Sequence, residues 1–562
     1  MDSNLLKTKS IEQLVGDVEH GSKALRRSLT AWDLTLLGIG AIIGTGIFVL
    51  TGTAAANQAG PAIMMSYLVA GLACGFAALC YAEFASMIPI AGSAYTYAYA
   101  TMGELFAWII GWDLILEYAV GSMTVAIGWS GYMQKLLSGA GITLPVWMSA
   151  APSAATPGAL INLPAVIIVL CIMYLLVVGI RESARFNAIM VGVKLAAVVF
   201  FIGAGAVYVK PDNWDPFTPY GWSGVMGAAG VVFFAYIGFD AVSTTAEEAK
   251  NPQRDLPIGI IASLVVCTLL YLAVAAVLTG IVPVVDYKAD QAFLNAPVAF
   301  ALSLIGQDWA AYLVSAGAVA GITSVLLVML MSQPRIFFAM SRDGLLPQGV
   351  SKVHPKFGTP YITTIITCVI VAIVAGLTQI QTVGEMTSIG TLFAFAIVCG
   401  AVLMLRVSRP EVHRPFRVPF GPVFPVLGIL FCVYLMLNLP ILTWVRFLVW
   451  LDLGMVIYWF YGRTHSPLVN QAEASRRTAF QGAANFVYIA GILAIFNFAC
   501  VTALAYMTEF GITTETIAKW HEIGVTPEAA DAFALRWLAV SVVVFLAGFG
   551  MRKASGADTA AA

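Results

Sequence analysis

Long apolar runs recur along almost the whole chain and restrict what it can fold into. A helix of about 20 apolar residues spans the roughly 30 Å hydrocarbon core of a bilayer, whereas a barrel strand would be half as long. Only 10% of the 562 residues are charged, against about 25% in soluble proteins. The sequence therefore predicts an all-α integral membrane protein with 14 transmembrane helices. The predicted spans lie near residues 33–56, 61–87, 103–136, 160–180, 184–209, 224–249, 257–282, 309–340, 361–379, 383–405, 422–440, 443–461, 483–507 and 533–551.

Lysine and arginine are distributed unevenly between the loops. With both termini in the cytoplasm, 22 of the 29 fall on the cytoplasmic side and six on the opposite side. Positive residues near membrane helices accumulate in the cytoplasm. We therefore predict a multi-pass protein of the plasma (inner) membrane with cytoplasmic N- and C-termini. Lys194 is the one remaining cation, and it falls within the fifth span.

The remaining composition argues against several functions. The formal net charge is −1, which gives no indication of nucleic-acid binding. All eight cysteines lie in apolar runs without zinc-ligand spacing, and the five histidines lie in polar loops. No nucleophile–base pair is recognisable within the spans. We therefore expect no metal, no cofactor and no catalytic residues, and we do not expect an enzyme.

Two spans contain residues that should interrupt a membrane helix. The first carries "GIGAIIGTGIF" at 38–48, with four glycines, and the sixth carries "VVFFAYIGFDAV" at 231–242. Interruptions at corresponding positions of two halves indicate an inverted repeat with a binding site at the breaks. We predict a cytoplasmic N-terminal segment (1–32), a first repeat of spans 1–5 (33–209), a second repeat of spans 6–10 (224–405), accessory spans 11–14 (422–551) and a cytoplasmic tail (552–562).

The first interruption has two interpretations. Small residues let membrane helices pack closely, and Gly38 and Gly40 could serve that purpose. The Gly44-Thr45-Gly46 stretch is denser than packing requires. An unwound segment frees backbone N–H groups, which suit a carboxylate, and C=O groups, which suit an ammonium or a cation. The break therefore predicts a binding surface for a zwitterion.

The sixth span offers an acid and two aromatic residues at its break. Asp240 is predicted to be the N-cap of a short helix beginning at Ala241, with a buried functional acid as the alternative. Phe233 and Phe234 precede the break. Aromatic residues in a span are usually core, but one beside a break is a candidate lid over a ligand.

Ionisable residues within a membrane span are costly and commonly functional. Lys194 lies too deep for its ammonium to reach the interface easily. Burial disfavours the charged form, so such a lysine can lose and regain a proton, either as a coupling site or as a structural partner of carbonyls or an acid. Glu117 lies halfway through span 3. It is predicted either to line a pocket or relay protons, or to be a structural acid. Asp113, one turn earlier, is predicted to be structural.

Span 8 contributes polar and flexible side chains at the depth of the breaks. Thr323 and Ser324 are hydroxyls available to a cation or an ammonium. Met329 follows six residues after Thr323. A methionine is usually packing, but one that lines a pocket shortens it.

Several motifs in order resemble one family. The chain is similar to the amino acid–polyamine–organocation superfamily, most of all to bacterial members of its cationic amino acid transporter family. The resemblance implies a leucine-transporter-like 5+5 inverted repeat, in which spans 1, 2, 6 and 7 rock as a bundle against spans 3, 4, 8 and 9. The motifs are "GIGAIIGTGIF", "GWDLILEYAVG", "FFAYIGFDAVSTTAEEAKNPQRDLP" and "FAMSRDGLLP".

The resemblance also implies which residues meet the substrate. Lys194 matches the lysine that replaces a sodium ion in some proton-coupled members, and Glu117 matches an acid typical of the family. Phe234 is implied as the gate. The implied backbone contacts of the substrate are Ile42, Thr45, Gly46, Phe234, Ala235 and Ile237.

One position departs from the pattern of the mammalian cationic members, which have a small residue where Met329 stands. The thioether should shorten the side-chain pocket, so we expect small neutral L-amino acids such as alanine. The alternatives are cationic substrates, an exchanger or facilitator in which Lys194 is structural, and an amino-acid sensor. The expected partners are an amino acid, a proton and the lipid bilayer.

Overall fold

The part of the chain that can be described is mostly its first four-fifths. Within that part the regular structure is helical, apart from two isolated β-bridges. The prediction of an all-α protein is therefore confirmed for these residues. Most of the N-terminal segment, spans 13 and 14 and the tail lie outside them. The computed structural model describes residues 29–88, 93–153, 156–178, 184–284, 291–347 and 359–466, with four isolated residues between these ranges.

Each of the first twelve predicted spans coincides with one or more observed helices. Spans 1 to 6 correspond to Ala31–Ile42 with Gly46–Leu50, Thr51–Ala54 and Ala55–Ala59 (span 1), Ile63–Met87 (span 2), Glu104–Gly139 (span 3), Leu163–Val178 (span 4), Ala184–Ala206 (span 5), and Gly221–Val232 with Phe233–Tyr236 and Asp240–Glu248 (span 6). Spans 7 to 12 correspond to Pro252–Ile281, Asp308–Arg342, Tyr361–Leu377, Ile380–Ser408, Val423–Leu437, and Ile441–Ile457 with Tyr458–Gly462.

Many of these helices are suited to a membrane. Among the described residues, seven helical segments are long and apolar enough to cross a membrane, namely Gly46–Met87, Glu104–Gly139, Ile189–Ala206, Pro252–Ile281, Asp308–Arg342, Ile380–Ser408 and Leu442–Gly462. Five further apolar helices are 10–17 residues long, and two of these are the segments of spans 1 and 6 that end at a break.

Local sequence signals determine where the long helices begin. Span 1 starts with a capping box, in which the Thr30 side chain accepts from the Asp33 N–H while Asp33 accepts from the Thr30 N–H at 2.9 Å. Span 7 starts with Pro252, whose missing N–H costs nothing in the first turn of a helix. These local signals therefore account for the first residue of the helix in span 1 and in span 7.

Span 1 is interrupted where the glycines predict it. Its first helix ends at Ile42, and Ile43 is extended, with φ −74° and ψ 103°. The helix resumes at Gly46 with a wider, π-helical first turn. Every residue from 38 to 56 is buried, so the backbone groups released here face other protein segments and not lipid.

Span 6 is interrupted at 237–239. Gly238 has φ +119°, a conformation that L side chains rarely adopt, so glycine is required there. The prediction that Asp240 caps the following helix is wrong. Asp240 is the first residue of a 3₁₀-helix, whose N-cap is Phe239, and its carboxylate accepts instead from the Gly238 N–H at 3.2 Å. The tight reversal at Gly238 brings that N–H within reach of the carboxylate.

The two interrupted spans lie inside the helix assembly. Span 3 packs along spans 8 and 10, and span 7 packs along span 2. The first helix of span 1 contacts spans 5, 7 and 8, while its π-helical turn contacts the 3₁₀ turn of span 6. The packing therefore brings the two breaks together in the interior.

Candidate functional site

The two breaks touch each other directly. A Cβ atom added at Gly46 would overlap the Cα and Cβ atoms of Ala235, and one added at Gly238 would lie 2.8 Å from the carbonyl group of Ala41. Each break therefore needs a glycine for the backbone of the other to approach. The result is one continuous surface of backbone polar groups contributed by spans 1 and 6.

The glycines of span 1 contact different parts of the protein. A Cβ atom at Gly38 would overlap the Ser263 side chain of span 7, so Gly38 packs two helices together. A Cβ atom at Gly44 would lie 3.2 Å from Val325 of span 8. Close contact of Gly46 with Ala235 makes Gly46 part of the junction between the breaks. Close packing, one of the two roles considered for the glycines, therefore occurs at Gly38, and a binding surface at Gly44-Thr45-Gly46 stays a prediction.

Lys194 reaches the first break. Its ammonium donates to the carbonyl oxygens of Gly40 and Ile43, the latter at 3.0 Å, and its side chain is fully buried. These two carbonyls lie in the last turn of the first helix and just beyond it, where no later turn supplies N–H partners. A Cβ atom at Gly321 would lie 2.7 Å from the Lys194 Cβ, so the lysine stem rests on span 8.

Tyrosine hydroxyls, which the sequence analysis missed, hold further backbone groups of the breaks. The Tyr271 hydroxyl of span 7 shares its one proton between two acceptors, the carbonyl oxygens of Ile42 at 3.0 Å and Ala235 at 2.7 Å. Tyr67 of span 2 donates to the Gly46 carbonyl at 3.2 Å. A tyrosine deep in an apolar run needs a partner for its hydroxyl, and that signal could have identified both residues.

Span 3 supports the second helix of span 1. The Thr45 side chain lies against Gly128, where a Cβ atom would overlap it, and its hydroxyl is 3.4 Å from the Val125 carbonyl oxygen. Tyr132, one turn further, donates to the Phe48 carbonyl at 2.7 Å. The Thr45 side chain is thus held by span 3, and its backbone N–H belongs to the first turn of the resumed helix, which suits an anion.

The two hydroxyls of span 8 have different surroundings. Thr323 accepts from the indole N–H of Trp129 at 2.8 Å and donates to the Val319 carbonyl of its own helix at 2.7 Å. Ser324 donates to the Gly321 carbonyl at 2.8 Å, beside the Lys194 stem. A hydroxyl has one donor and two acceptor sites. Ser324 therefore keeps more acceptor capacity for a cation than Thr323 does.

Met329 lies against span 3. A Cβ atom added at Gly121 would be 3.3 Å from the Met329 sulfur and 3.6 Å from a methyl group of Thr387 in span 10. Gly121 and Gly128, the contact of Thr45, are seven residues apart on one helix, which corresponds to about 10 Å. The distance from Met329 to the first break, measured along span 3, is therefore about the length of one bound amino acid.

Two acids of span 3 are buried beside span 10. The side-chain oxygens of Asp113 and Glu117 have no hydrogen-bond partner among the described residues. The acids nearest to Glu117 are Asp240 of span 6 and Asp113 itself. A Cβ atom at Gly390 of span 10 would lie 2.8 Å from an Asp113 oxygen. Unpartnered acids at this depth are costly, and they mark a polar spot beside the second break.

The two phenylalanines before the second break are both buried. The Phe233 ring packs edge-on against Phe395 of span 10, with ring centroids 5.6 Å apart. Phe233 is therefore core. Phe234, the predicted gate, is 4% exposed and stands next to Ala235 at the junction of the breaks. Ile237, which follows them, is extended and donates its N–H to the Phe234 carbonyl at 3.2 Å.

Two touching helix breaks that present backbone polar groups among helices apolar enough to cross a membrane are typical of a transporter for a small polar solute. The chain belongs to the amino acid permease family, whose model matches residues 29–461. This confirms the resemblance to the amino acid–polyamine–organocation superfamily. The protein is therefore a multi-pass membrane protein that transports amino acids and is not an enzyme.

Individual relatives are named as permeases or transporters. The chain is 54% identical to the branched-chain amino acid permease of Bacillus subtilis, over 83% of this chain and 100% of that protein. It is 49% identical to the methylthioribose transporter of the same organism, over 83% and 99%. It is 32% identical to the vacuolar cationic amino acid transporter 4 of Arabidopsis thaliana, over 83% and 97%.

Proposed function

We propose that the protein is a proton-coupled secondary active transporter that moves small neutral L-amino acids by alternating access. The observation that carries this proposal is the ammonium of Lys194, which bonds to two carbonyls at the break of span 1 while that break touches the break of span 6. A protonated lysine holds those carbonyls as a bound cation would. Loss of its proton weakens that hold and frees the first break to rearrange.

The substrate would lie along the junction of the breaks. Its carboxylate would meet the first N–H groups of the resumed helix, at Thr45 and Gly46, and its ammonium would meet carbonyls of Ile42 and span 6. Its side chain would extend towards Met329, about 10 Å away along span 3. Phe234 would cover it, and Glu117 would lie at the far end of the pocket.

The relatives support a neutral substrate. The relative named for branched-chain amino acids is 54% identical, and the one named for cationic amino acids is 32% identical. Met329 lies beside Gly121, and its thioether would shorten the pocket and disfavour a long cationic side chain. A cationic amino acid remains the second candidate, because several plant and mouse relatives carry that name.

We also propose the membrane arrangement that the sequence predicts. Spans 1–5 and 6–10 would form inverted repeats, spans 11–14 would be additions, and both termini would be cytoplasmic in the plasma (inner) membrane. The corresponding positions of the two breaks and the excess of lysine and arginine on one side support this arrangement.

Uptake into proteoliposomes under an imposed pH gradient tests the coupling role of Lys194. The purified protein should accumulate alanine uphill when the outside is acidic. Lys194→Ala should lose uphill accumulation, because no ammonium then links protonation to the break. Lys210→Ala removes an exposed loop lysine and should behave as the unchanged protein does.

Counterflow at equal pH on both sides separates coupling from a damaged site. Lys194→Ala should still exchange labelled for unlabelled alanine if the binding surface is intact. Uphill accumulation by Lys194→Ala with an unchanged pH profile would show that the lysine is structural and that the protein is an exchanger or facilitator. Saturable binding of an amino acid without uptake by the unchanged protein would indicate a sensor.

A further inference from the structure

The segment that joins span 10 to span 11 is fixed against the end of span 2. The Phe416 N–H donates to the hydroxyl of Ser86 at 3.2 Å. The Val418 N–H donates to the carboxylate of Glu83 at 2.8 Å. Residues 409–422, which we call the 10–11 segment, therefore hold a defined position at this end of the helices.

The 10–11 segment carries positive charge that its own contacts use only in part. It contains three arginines, Arg409, Arg414 and Arg417, and one acid, Glu411. The Arg414 guanidinium donates to the carbonyl oxygens of Val412 at 2.7 Å and Arg409 at 3.0 Å. Within the described part of the chain, no side-chain hydrogen bond or ion pair involves Arg409 or Arg417, and Arg417 is exposed. The Arg417 guanidinium is therefore available to an external anion.

Exposed apolar side chains lie at both ends of the same segment. Phe420 is 74% exposed, and Val407, in the last turn of the span 10 helix, is 85% exposed. Val423, the first residue of the span 11 helix, is exposed as well. About one turn further into these helices, Met404 and Val426 are also exposed. The apolar surface is thus continuous with the outer faces of two membrane helices, which places the segment where headgroups meet acyl chains.

The backbone of Phe420 has a conformation that folding of the chain does not explain. Its φ is +57°, and among the described residues it is the one non-glycine residue with a positive φ. Bulky side chains rarely adopt that conformation. The ring packs on Phe424, with centroids 5.0 Å apart, and is otherwise largely exposed. A costly conformation that directs an aromatic ring outward points to a contact outside the protein.

We propose that the 10–11 segment binds anionic phospholipid, with the Arg417 guanidinium on the phosphate and the Phe420 ring at the boundary between headgroups and acyl chains. Arginine presents a planar fork of donors that matches phosphate oxygens. Basic and aromatic side chains side by side are typical of protein segments that lie in an anionic membrane surface. Because the segment is tied to Glu83 and Ser86, bound lipid fixes this end of span 2 at the surface. Lipid binding here is separate from transport and requires no amino acid at the breaks.

Thermal unfolding of the purified protein in dodecyl maltoside micelles tests lipid binding directly. Added dioleoylphosphatidylglycerol should raise the melting temperature more than dioleoylphosphatidylcholine does, since a ligand stabilises the state that binds it. Arg417→Gln should need about fivefold more of the anionic lipid for the same rise, which corresponds to roughly 1 kcal/mol. Arg254→Gln removes an exposed arginine from the first turn of span 7, and this matched control should titrate as the unchanged protein does.

Phe420→Gly tests the aromatic ring separately from the charge. Glycine adopts a φ of +57° without strain, so the melting temperature without lipid should not fall. The titration with dioleoylphosphatidylglycerol should shift to concentrations several times higher, because the ring no longer reaches the boundary of the acyl chains. A lower melting temperature without lipid, together with an unchanged titration, would give the ring a structural role only and overturn the inference.

Three further results would contradict an anionic lipid at this segment. The first is equal stabilisation of the unchanged protein by the two lipids. The second is an equal loss in Arg417→Gln and Arg254→Gln, which would reflect net charge and not a binding surface. The third is stabilisation by sodium phosphate at the same concentrations as by the anionic lipid, which would show that any phosphate binds and that the apolar surface contributes nothing.

Discussion

At the scale of single residues, Met329 lies against Gly121, and we propose that this contact limits the space left for a substrate side chain. The sequence indicated Met329 but not its partner. Gly121 accommodates the thioether because it has no Cβ; with one, the sulfur would have to move by a few tenths of an ångström. Met329 can move because its side chain is flexible, and we expect the displaced thioether to shorten the proposed pocket further.

Substitutions at these two positions should shift substrate size in opposite directions. Met329→Ala should improve competition by leucine relative to alanine, and Gly121→Ala should weaken it, each by about tenfold, the effect of roughly one methylene group. In Met329→Ala the further change Gly121→Ala should have little effect, because the thioether is gone. A ladder of glycine, alanine, valine and leucine as competitors measures the shift.

A matched control separates this contact from the general effect of adding a methyl group to a membrane helix. Gly75 of span 2 has nothing within 4 Å of an added Cβ atom, so Gly75→Ala should leave the order of competitors unchanged. If Gly121→Ala shifts the order equally with and without Met329, the contact does not determine size.

At the scale of elements, span 12 is attached to span 3 by a pair of tryptophans. The Trp112 indole N–H donates to the Trp450 carbonyl at 2.8 Å, and the Trp450 indole N–H donates to the Trp112 carbonyl at 3.1 Å. The rings stack with centroids 4.6 Å apart. Trp108 donates to the Gly454 carbonyl one turn further at 3.0 Å. Span 12 is therefore fixed to span 3, which the resemblance places in the scaffold.

Trp450→Phe should destabilise the protein by about 1–3 kcal/mol, because it removes one hydrogen bond and part of a stacked ring. Thermal unfolding of the purified protein measures this. Trp112→Phe with Trp450→Phe should lose less than the sum of the two single changes. Trp309→Phe, at a side chain that is 62% exposed, should have little effect. Additive losses at positions 112 and 450 would contradict a coupled pair.

At the scale of the whole molecule, a largely buried ion pair joins span 2, which the resemblance places in the rocking bundle, to span 10, which it assigns to neither bundle nor scaffold. Glu83, at the end of span 2, is paired with Arg406 at the end of span 10. Glu83 also accepts from the Val418 N–H at 2.8 Å and lies 3.5 Å from Arg414, both in the segment between spans 10 and 11. This end of span 10 should therefore move with span 2 and the bundle.

Removal of one partner should be costly, because the remaining charge stays largely buried and loses its closest opposite charge. Glu83→Gln and Arg406→Gln should each lower the unfolding free energy by about 3–5 kcal/mol, and the double variant should lose less than their sum. Arg254→Gln, at an exposed side chain in the first turn of span 7, is the control. Thermal unfolding and uptake together measure the effect, and a neutral Glu83→Gln would show that the pair does not hold these elements together.

Much of this architecture followed from the sequence alone. Apolar length fixed the membrane helices, because a bilayer demands about 20 apolar residues per span. The glycines at 38–46 and at Gly238 marked both breaks, and the depth of Lys194 within span 5 singled it out as a candidate functional cation. These are local properties, and hydrocarbon leaves few ways to satisfy them.

Contacts between distant residues were decided only by the tertiary structure. The sequence could not show that Gly46 meets Ala235, that Tyr271 lies between Ile42 and Ala235, or that Met329 rests on Gly121. Nor could it show that Asp240 bonds back to Gly238. The identity of a membrane helix depends on its own hydropathy, whereas its partners depend on side-chain shape across several helices at once, since apolar surface faces lipid and protein almost equally well.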